Sequence, residues 1–224
     1  CGSGATLDNI SLVTYSAWVK VDTGSGTRIL FEKRPTPVSN VAPVFWIDGW
    51  AGNNGKLNFL AGWSVSAGYW TLTTAETFVG TWVHAAITYD RTSSNNLPTF
   101  YINGTSKAFT TAAAATGVVP NDSANSLRLG IDASSLNPLD GQLEDTRVFN
   151  RMLTAAEVAI LAGGYRGPLG GEVLWISAHG PNGNLTTGTA NVFDLSGNGN
   201  HGTPQNGSSY VASFAPRLGR FKLG

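Results

Sequence analysis

Three groups of residues in this 224-residue chain have side chains that could bind or transform a ligand. In the first, Trp46, Asp48, Trp50, Asn53 and Asn54 follow one another closely. Indole faces stack on the C–H face of a pyranose while Asp and Asn bond its hydroxyls. The group therefore reads as a sugar platform, with Trp50 at the head of the Ala51-Gly52-Asn53-Asn54-Gly55 turn, or else as aromatic packing across neighbouring strands. The second group is Asp194, Asn198 and Asn200, in the glycine-punctuated run Phe193-Asp194-Leu195-Ser196-Gly197-Asn198-Gly199-Asn200-His201. Hard oxygen donors in a tight loop suit Ca²⁺. The same residues also suit left-handed turn positions with Asp194 as the cap, so both readings stand.

The third group is acidic. Retaining glycoside hydrolysis needs two carboxyls about 5–5.5 Å apart, most readily one or two alternations apart on one face of a strand. Glu144 and Asp145 are adjacent, which places them on opposite faces of any regular strand. Asp48, Glu76, Asp90, Asp132 and Asp140 are isolated. No Gly-x-Ser-x-Gly elbow accompanies His84, His179 or His201. His84 alternates with Trp82 and Ala86 and is expected to be hydrogen-bonded within a sheet; His201 is expected to stabilise a turn. No catalytic residues are assigned.

The elements that must position these groups are short strands. Residues 10–21, Arg28–Lys33, Val44–Asp48, Lys56–Gly62, Tyr69–Thr73, Thr81–Tyr89, Thr99–Ile102, Ser126–Ile131 and Gly141–Asn150 are rich in β-branched and aromatic residues and are separated by Gly, Asn, Ser or Pro clusters. That spacing predicts an all-β sandwich of two antiparallel sheets, a jelly roll. Thr154-Ala155-Ala156-Glu157 is a capping box, and it predicts one short helix over 154–162, ending at Gly163-Gly164. A second β-rich stretch begins at Glu172-Val173-Leu174-Trp175-Ile176. Residues 172–224 are too short and too polar to bury a core of their own, so a single domain over 1–224 is expected.

Three stretches, in order, resemble the LamG-like jelly roll of the concanavalin A-like lectin/glucanase superfamily. They are Tyr15-Ser16-Ala17-Trp18-Val19-Lys20, then Thr81-Trp82-Val83-His84-Ala85-Ala86-Ile87-Thr88-Tyr89-Asp90 with Phe100-Tyr101-Ile102-Asn103-Gly104, and then Leu129-Gly130 with the run from Leu139-Asp140-Gly141 to Leu153-Thr154-Ala155-Ala156-Glu157. A fourth, Asp194 to Gly202, is similar to a loop that the family carries before its first Trp strand, so the motif order is circularly permuted. The resemblance implies that residues 1–171 form the main sandwich and that 172–224 supply the family's N-terminal strands, to the same chain or to a neighbouring copy. It also implies that Glu144-Asp145 departs from the usual apolar-Asp-Glu order of the family.

Charge narrows the partners. Lys+Arg 14 balances Asp+Glu 14, so no global field recruits nucleic acid. Charged residues are 12 % of the chain, about half the roughly 25 % of ordinary soluble domains, and 28 Gly accompany abundant Ser, Thr and Asn. A single Cys excludes an internal disulfide. Cys1-Gly2-Ser3-Gly4 reads as a processed or lipidated start or as an ordinary cut. No apolar run reaches the roughly 20 residues of a membrane span. The expected function is a non-catalytic recognition or adhesion module for glycans or cell-surface polysaccharide, placed outside the cell, on its surface or on a virion. The rival is a self-assembling capsid, fibre or sheath subunit completed by strand exchange, with a glycoside hydrolase as a lesser alternative.

Overall fold

The computed structural model describes residues 4–23, 26–35, 42–49, 55–177 and 192–205. Their strands are β1 (Leu12–Val21), β2 (Arg28–Glu32), β3 (Val44–Asp48), β4 (Lys56–Ala61), β5 (Gly68–Leu72), β6 (Val83–Asp90), β7 (Thr99–Ile102), β8 (Thr105–Lys107), β9 (Phe109–Ala113), β10 (Arg128–Leu129), β11 (Gly141–Phe149) and β12 (Glu172–Ile176). Among the described residues a single α-helix, α1 (Ala155–Ala162), stands between β11 and β12. The strands form two six-stranded antiparallel sheets, the first ordered β12-β11-β1-β6-β7-β8 and the second β10-β2-β3-β4-β5-β9. The fold is the expected two-sheet jelly-roll sandwich with one short helix.

Alternation explains the layering. On β1, Val13, Tyr15, Ala17, Val19 and Val21 point inward; on β6, Val83, Ala85, Ile87 and Tyr89 do. They meet Phe45 and Ile47 of β3, Leu57 and Phe59 of β4, and Trp70 and Leu72 of β5. Tilted and edge-on ring contacts tie the layers together, among them Tyr15–Phe31 at 5.1 Å and Phe59–Tyr89 at 5.5 Å. The inter-sheet tryptophans are Trp63 and Trp70. Trp18 and Trp175 instead lie on the outer face of the first sheet, paired with His84 and Arg147.

The strands β8 and β9 escape the sequence pattern because they are exposed edge strands with almost no apolar alternation. Asn103 and Gly104, at φ 48° and 79°, make the two-residue turn that joins β7 to β8. Gly104 also lies against Ala159 of α1, where a side chain would meet the helix backbone.

The outer face of the first sheet is covered. Thr154 caps α1 by accepting from the Glu157 amide, and the Glu157 carboxylate accepts from the Thr154 amide. Arg151 grips Glu157 at 2.7 and 3.0 Å, and that bonding, against a smaller burial effect, brings the Glu157 carboxyl down to about 2. Val158 and Leu161 of the helix then close over Ala86, Tyr101 and Phe149. Beside them Ser16 Oγ and His84 Nε2 share a buried hydrogen bond of 2.9 Å, the in-sheet role expected of this histidine. Burial, reinforced by Arg166 and Arg147, pushes the His84 pKa down to about 3.

One buried ion cluster joins the two sheets. Lys33, just past β2, donates to Asp122 at 2.7 Å and to Asp8 at 2.8 Å, while Arg91, just past β6, reaches Asp122 at 3.3 Å. Asp122 also accepts from the Asn9 amide at 2.8 Å. Burial acts against the Asp122 carboxylate, but the Asn9 hydrogen bond and the two cations outweigh it and leave its pKa below the ordinary value.

Two stability predictions follow from these groups. Asp122→Asn leaves buried cations short of a partner and costs about 3–5 kcal/mol in urea unfolding; a change below about 1 kcal/mol contradicts the clamp. His84 is neutral when folded and binds a proton more readily when unfolded, so its contribution is complete above pH 6.5 and declines as pH falls toward about 3. Wild type therefore loses stability between pH 7 and pH 5 more steeply than His84→Gln, and equal slopes contradict that assignment.

Candidate functional site

The first sheet is covered by α1, and the outer face of the second carries no helix among the described residues. The register sets Asp48 opposite Lys56, Trp46 opposite Asn58 and Asn58 opposite Thr71, with Leu60 opposite Tyr69. Trp46 of β3 and Tyr69 of β5 lean toward each other across β4 and stack, ring centroids 5.5 Å apart and planes 21° apart. Both rings stay half-buried, and Asn58 is buried between them. Its Oδ1 accepts from the Tyr69 hydroxyl at 3.0 Å and its Nδ2 donates to the Lys56 carbonyl at 3.0 Å. Burial first, and then the Asp48 carboxylate, raise the Tyr69 pKa, so the phenol stays protonated as a donor. The result is a stacked aromatic pair held over a buried amide, with the half-buried Asp48 carboxylate one row along the same face.

Two clefts adjoin it. One of about 340 Å³ meets the face at Asp48 and is walled by Thr23, Arg28, Gly55 and Glu76. The other, of about 460 Å³, meets it at Leu60 and Tyr69 and is walled by Trp63, Val65 and Ala113.

Trp46 and Asp48 thus share this face, as their spacing suggested. Trp50, Asn53 and Asn54 lie outside the described residues, between β3 and β4. Sequence reasoning missed Tyr69, because a one-residue difference in parity decides which aromatic of Tyr69-Trp70 faces outward: Trp70 enters the core. The available signal was the pairing of β4 with β5, which puts Leu60 and Tyr69 on one side.

The Asp194 loop is a closely bonded turn. Asp194 Oδ1 accepts from the Trp175 and Ser196 amides at 2.8 and 2.9 Å; Oδ2 accepts from the Ser196 hydroxyl and the Asn200 amide at 2.8 and 3.0 Å. Asn198 turns its Nδ2 to the Glu172 carbonyl, and Asn200 turns its Nδ2 to Thr6 and to the Val173 carbonyl. The Asp194 amide donates to His201 Nδ1 at 3.1 Å. The loop therefore pins β12 to the segment leading into β1, and four N–H or O–H donors already converge on its carboxylate.

The acids of β11 require a correction. Asp145 has φ 48°, and two residues, Asp145 and Thr146, oppose the single Ala17, which makes a β-bulge. The bulge breaks strict alternation: Glu144 stands opposite Trp18 while Asp145 bonds Arg147, so both acids share the outer face instead of pointing to opposite faces. Both are buried. Asp145 accepts from Arg147, Arg166 and Trp175, and Glu144 from Ser177. Burial outweighs those cations and raises the Asp145 pKa. The Ser16–His84 pair has the spacing of a nucleophile and its base, but His84 Nδ1 has no hydrogen-bond partner, and a base of pKa about 3 takes up no proton near neutrality.

The comparisons with known proteins agree with this architecture. No curated protein sequence matches the chain. Among solved structures, a Bacteroides ovatus protein provisionally assigned as carbohydrate binding superposes with TM-score 0.62 at 17 % identity, over 84 % of this chain and 50 % of that one. The present chain thus spans about half the length of that protein. Domain 4 of AbnA, a GH43 extracellular arabinanase from Geobacillus stearothermophilus solved in complex with arabinotriose, gives 0.50 at 22 % identity, over 70 % and 69 %. The CBM40 of the Ruminococcus gnavus IT-sialidase, solved bound to α2,6-sialyllactose, gives 0.50 at 15 %, over 69 % and 84 %. These likenesses establish the fold. The family model matches residues 2–159, most of the chain, and this protein belongs to the concanavalin A-like lectin/glucanases superfamily.

Proposed function

We propose that this chain is a non-catalytic carbohydrate-binding module acting outside the cell, with its glycan lying on the outer face of the second sheet. The Trp46–Tyr69 stack carries the reading: it offers apolar ring surface to a sugar, with Asp48 and Lys56 paired one row along the same face. Two proteins that share the fold were solved with arabinotriose and with sialyllactose, which supports the ligand class. The non-catalytic role is supported by the burial of Glu144 and Asp145 under donors that occupy their oxygens. An extracellular setting is supported by the low charge, 12 % of residues, and among the described residues no helix is long and apolar enough to cross a membrane. Residues 172–177 and 192–205 are read as completing this chain's own sandwich, because β12 pairs with β11 and Asn200 bonds Thr6.

The test is a glycan array followed by titration of the retained sugars. Trp46→Ala removes a central aromatic anchor, which costs about 2 kcal/mol or more, about 30-fold in Kd, while an outer-face position leaves the melting temperature within a few degrees. Retention of no glycan by wild type, or unchanged affinity in Trp46→Ala, contradicts the proposal. Because Asp194 is already saturated with donors, a chelator is expected to leave both melting temperature and sugar affinity unchanged. A drop that added Ca²⁺ reverses would return the loop to the calcium reading.

A further inference from the structure

Among the described residues the two sheets end in four edge strands, β12 and β8 in the first and β10 and β9 in the second. An edge strand leaves a row of main-chain N–H and C=O groups outside any ladder, and these accept an added strand unless something closes them. Three of the edges are closed or too short. On β12 the Trp175 amide donates to Asp194 Oδ1 at 2.8 Å, while the Trp175 carbonyl accepts from the Leu195 amide and the Val173 carbonyl from Asn200 Nδ2, both at 2.7 Å. The Asp194 loop thus stands where a further strand would pair. β8 has three residues and ends in Lys107, which Glu76 holds at 2.7 Å. β10 has two and begins with Arg128.

β9 differs. No charged residue occurs between Lys107 and Asp122, and Thr110, Thr111 and Ala112 are exposed. Among the described residues only β5 pairs with this strand. The half-buried Phe109 ring packs 5.7 Å from Phe100, which anchors the strand to the core. The Thr73 amide donates to the Ala108 carbonyl at 3.0 Å, so Ala108 and, two residues on, Thr110 turn their main-chain groups toward β5. By alternation Phe109 and Thr111 turn theirs outward. Ala112 is an extra residue against β5, a bulge that ends this straight stretch.

We infer that the β9 edge is an interface for a second copy of this chain, the two strands pairing antiparallel about a two-fold axis beside Thr110. In that register Phe109 of each copy lies opposite Thr111 of the other, and the outward groups exchange about four main-chain hydrogen bonds. The pairing is self-complementary. It also brings no like charges together, because the edge is uncharged and the whole chain has formal net charge zero. So short an edge makes a weak dimer rather than a permanent one. Antiparallel pairing keeps the side-chain faces, so the two second sheets join with their outer faces on one side. The Trp46–Tyr69 stacks, each centred on β4, are then five strand spacings apart, about 24 Å. Resting on the sugar-binding reading above, the dimer is a bivalent reader of a repeating polysaccharide and gains avidity with no new contact to the sugar.

The first test is sedimentation equilibrium of sugar-free protein at concentrations up to about 1 mM. Wild type is expected to show a reversible monomer–dimer equilibrium, with amide exchange at Phe109 and Thr111 slowing as concentration rises. Thr110→Lys changes an exposed side chain and sets two ammonium groups face to face across the axis. It is expected to weaken the dimer about tenfold or more while its melting temperature stays within a few degrees of wild type. A single monomeric species throughout, a dimer that Thr110→Lys leaves intact, or a dimer without protection at Phe109 and Thr111 overturns the interface. The second test compares both proteins on a surface dense in the glycan retained by the array. Wild type is expected to be held about tenfold or more tightly than Thr110→Lys, with equal affinity for the free sugar; equal retention overturns the bivalent role. Retention of no glycan contradicts the sugar reading, and sedimentation then decides the interface by itself.

Discussion

Arg147 has no exposed surface, and a guanidinium cannot stay buried unless its donors are satisfied. Its Nε donates to Asp145 at 2.9 Å, Nη1 to the Gly167 carbonyl at 2.7 Å and Nη2 to the Tyr165 carbonyl at 3.3 Å, while its planar face lies 4.1 Å from the centre of the Trp175 ring. One residue therefore holds the chain that follows α1, and with it β12, against β11. Desolvation of this pair costs energy, as the raised Asp145 pKa records. Its contribution is placement: together with α1 it buries the outer face of the first sheet and leaves the second sheet to meet a ligand.

The second sheet is itself partly closed, which gives the strip its width. Glu32, on the same outer face, has no exposed surface; its carboxylate accepts from the Ala133 amide at 2.7 Å and pairs with Arg34 at 2.7 Å. The loop after β10 is thereby folded over β2, and β3, β4 and β5, with the exposed edge β9 beside them, are left to carry the aromatic stack. Asp122 fixes the far end by joining Lys33 and Arg91, so the ends of β2 and β6 keep their separation. The sites of ionic order thus frame a face whose own recognition chemistry is mainly uncharged.

Much of this was legible in the residues themselves. Alternation and turn signals located ten of the strands, and the capping box located α1, because each depends on local chemistry that survives without knowledge of partners. The exposed edges β8 and β9 were not legible, since strands such as Thr105–Lys107 bury too little to leave a pattern. The platform was half legible. Trp46 and Asp48 are neighbours in sequence, but Tyr69 joins them only through a cross-strand register, and parity alone separates it from the buried Trp70. The β11 acids were misjudged for a similar reason: alternation fails at a bulge, and nothing in Glu144-Asp145 announces that Asp145 takes a positive φ.

The central claim is that recognition occurs on the outer face of the second sheet. Amide and side-chain NMR shifts recorded during titration with a glycan bound by the protein test it most directly. The account predicts that perturbations concentrate at the Trp46 indole, the Asn58 side-chain amide and the amides of Asp48, Leu60 and Tyr69, with Ala86, Arg147 and Val158 unmoved. Perturbations confined to α1 and the outer face of the first sheet would contradict it.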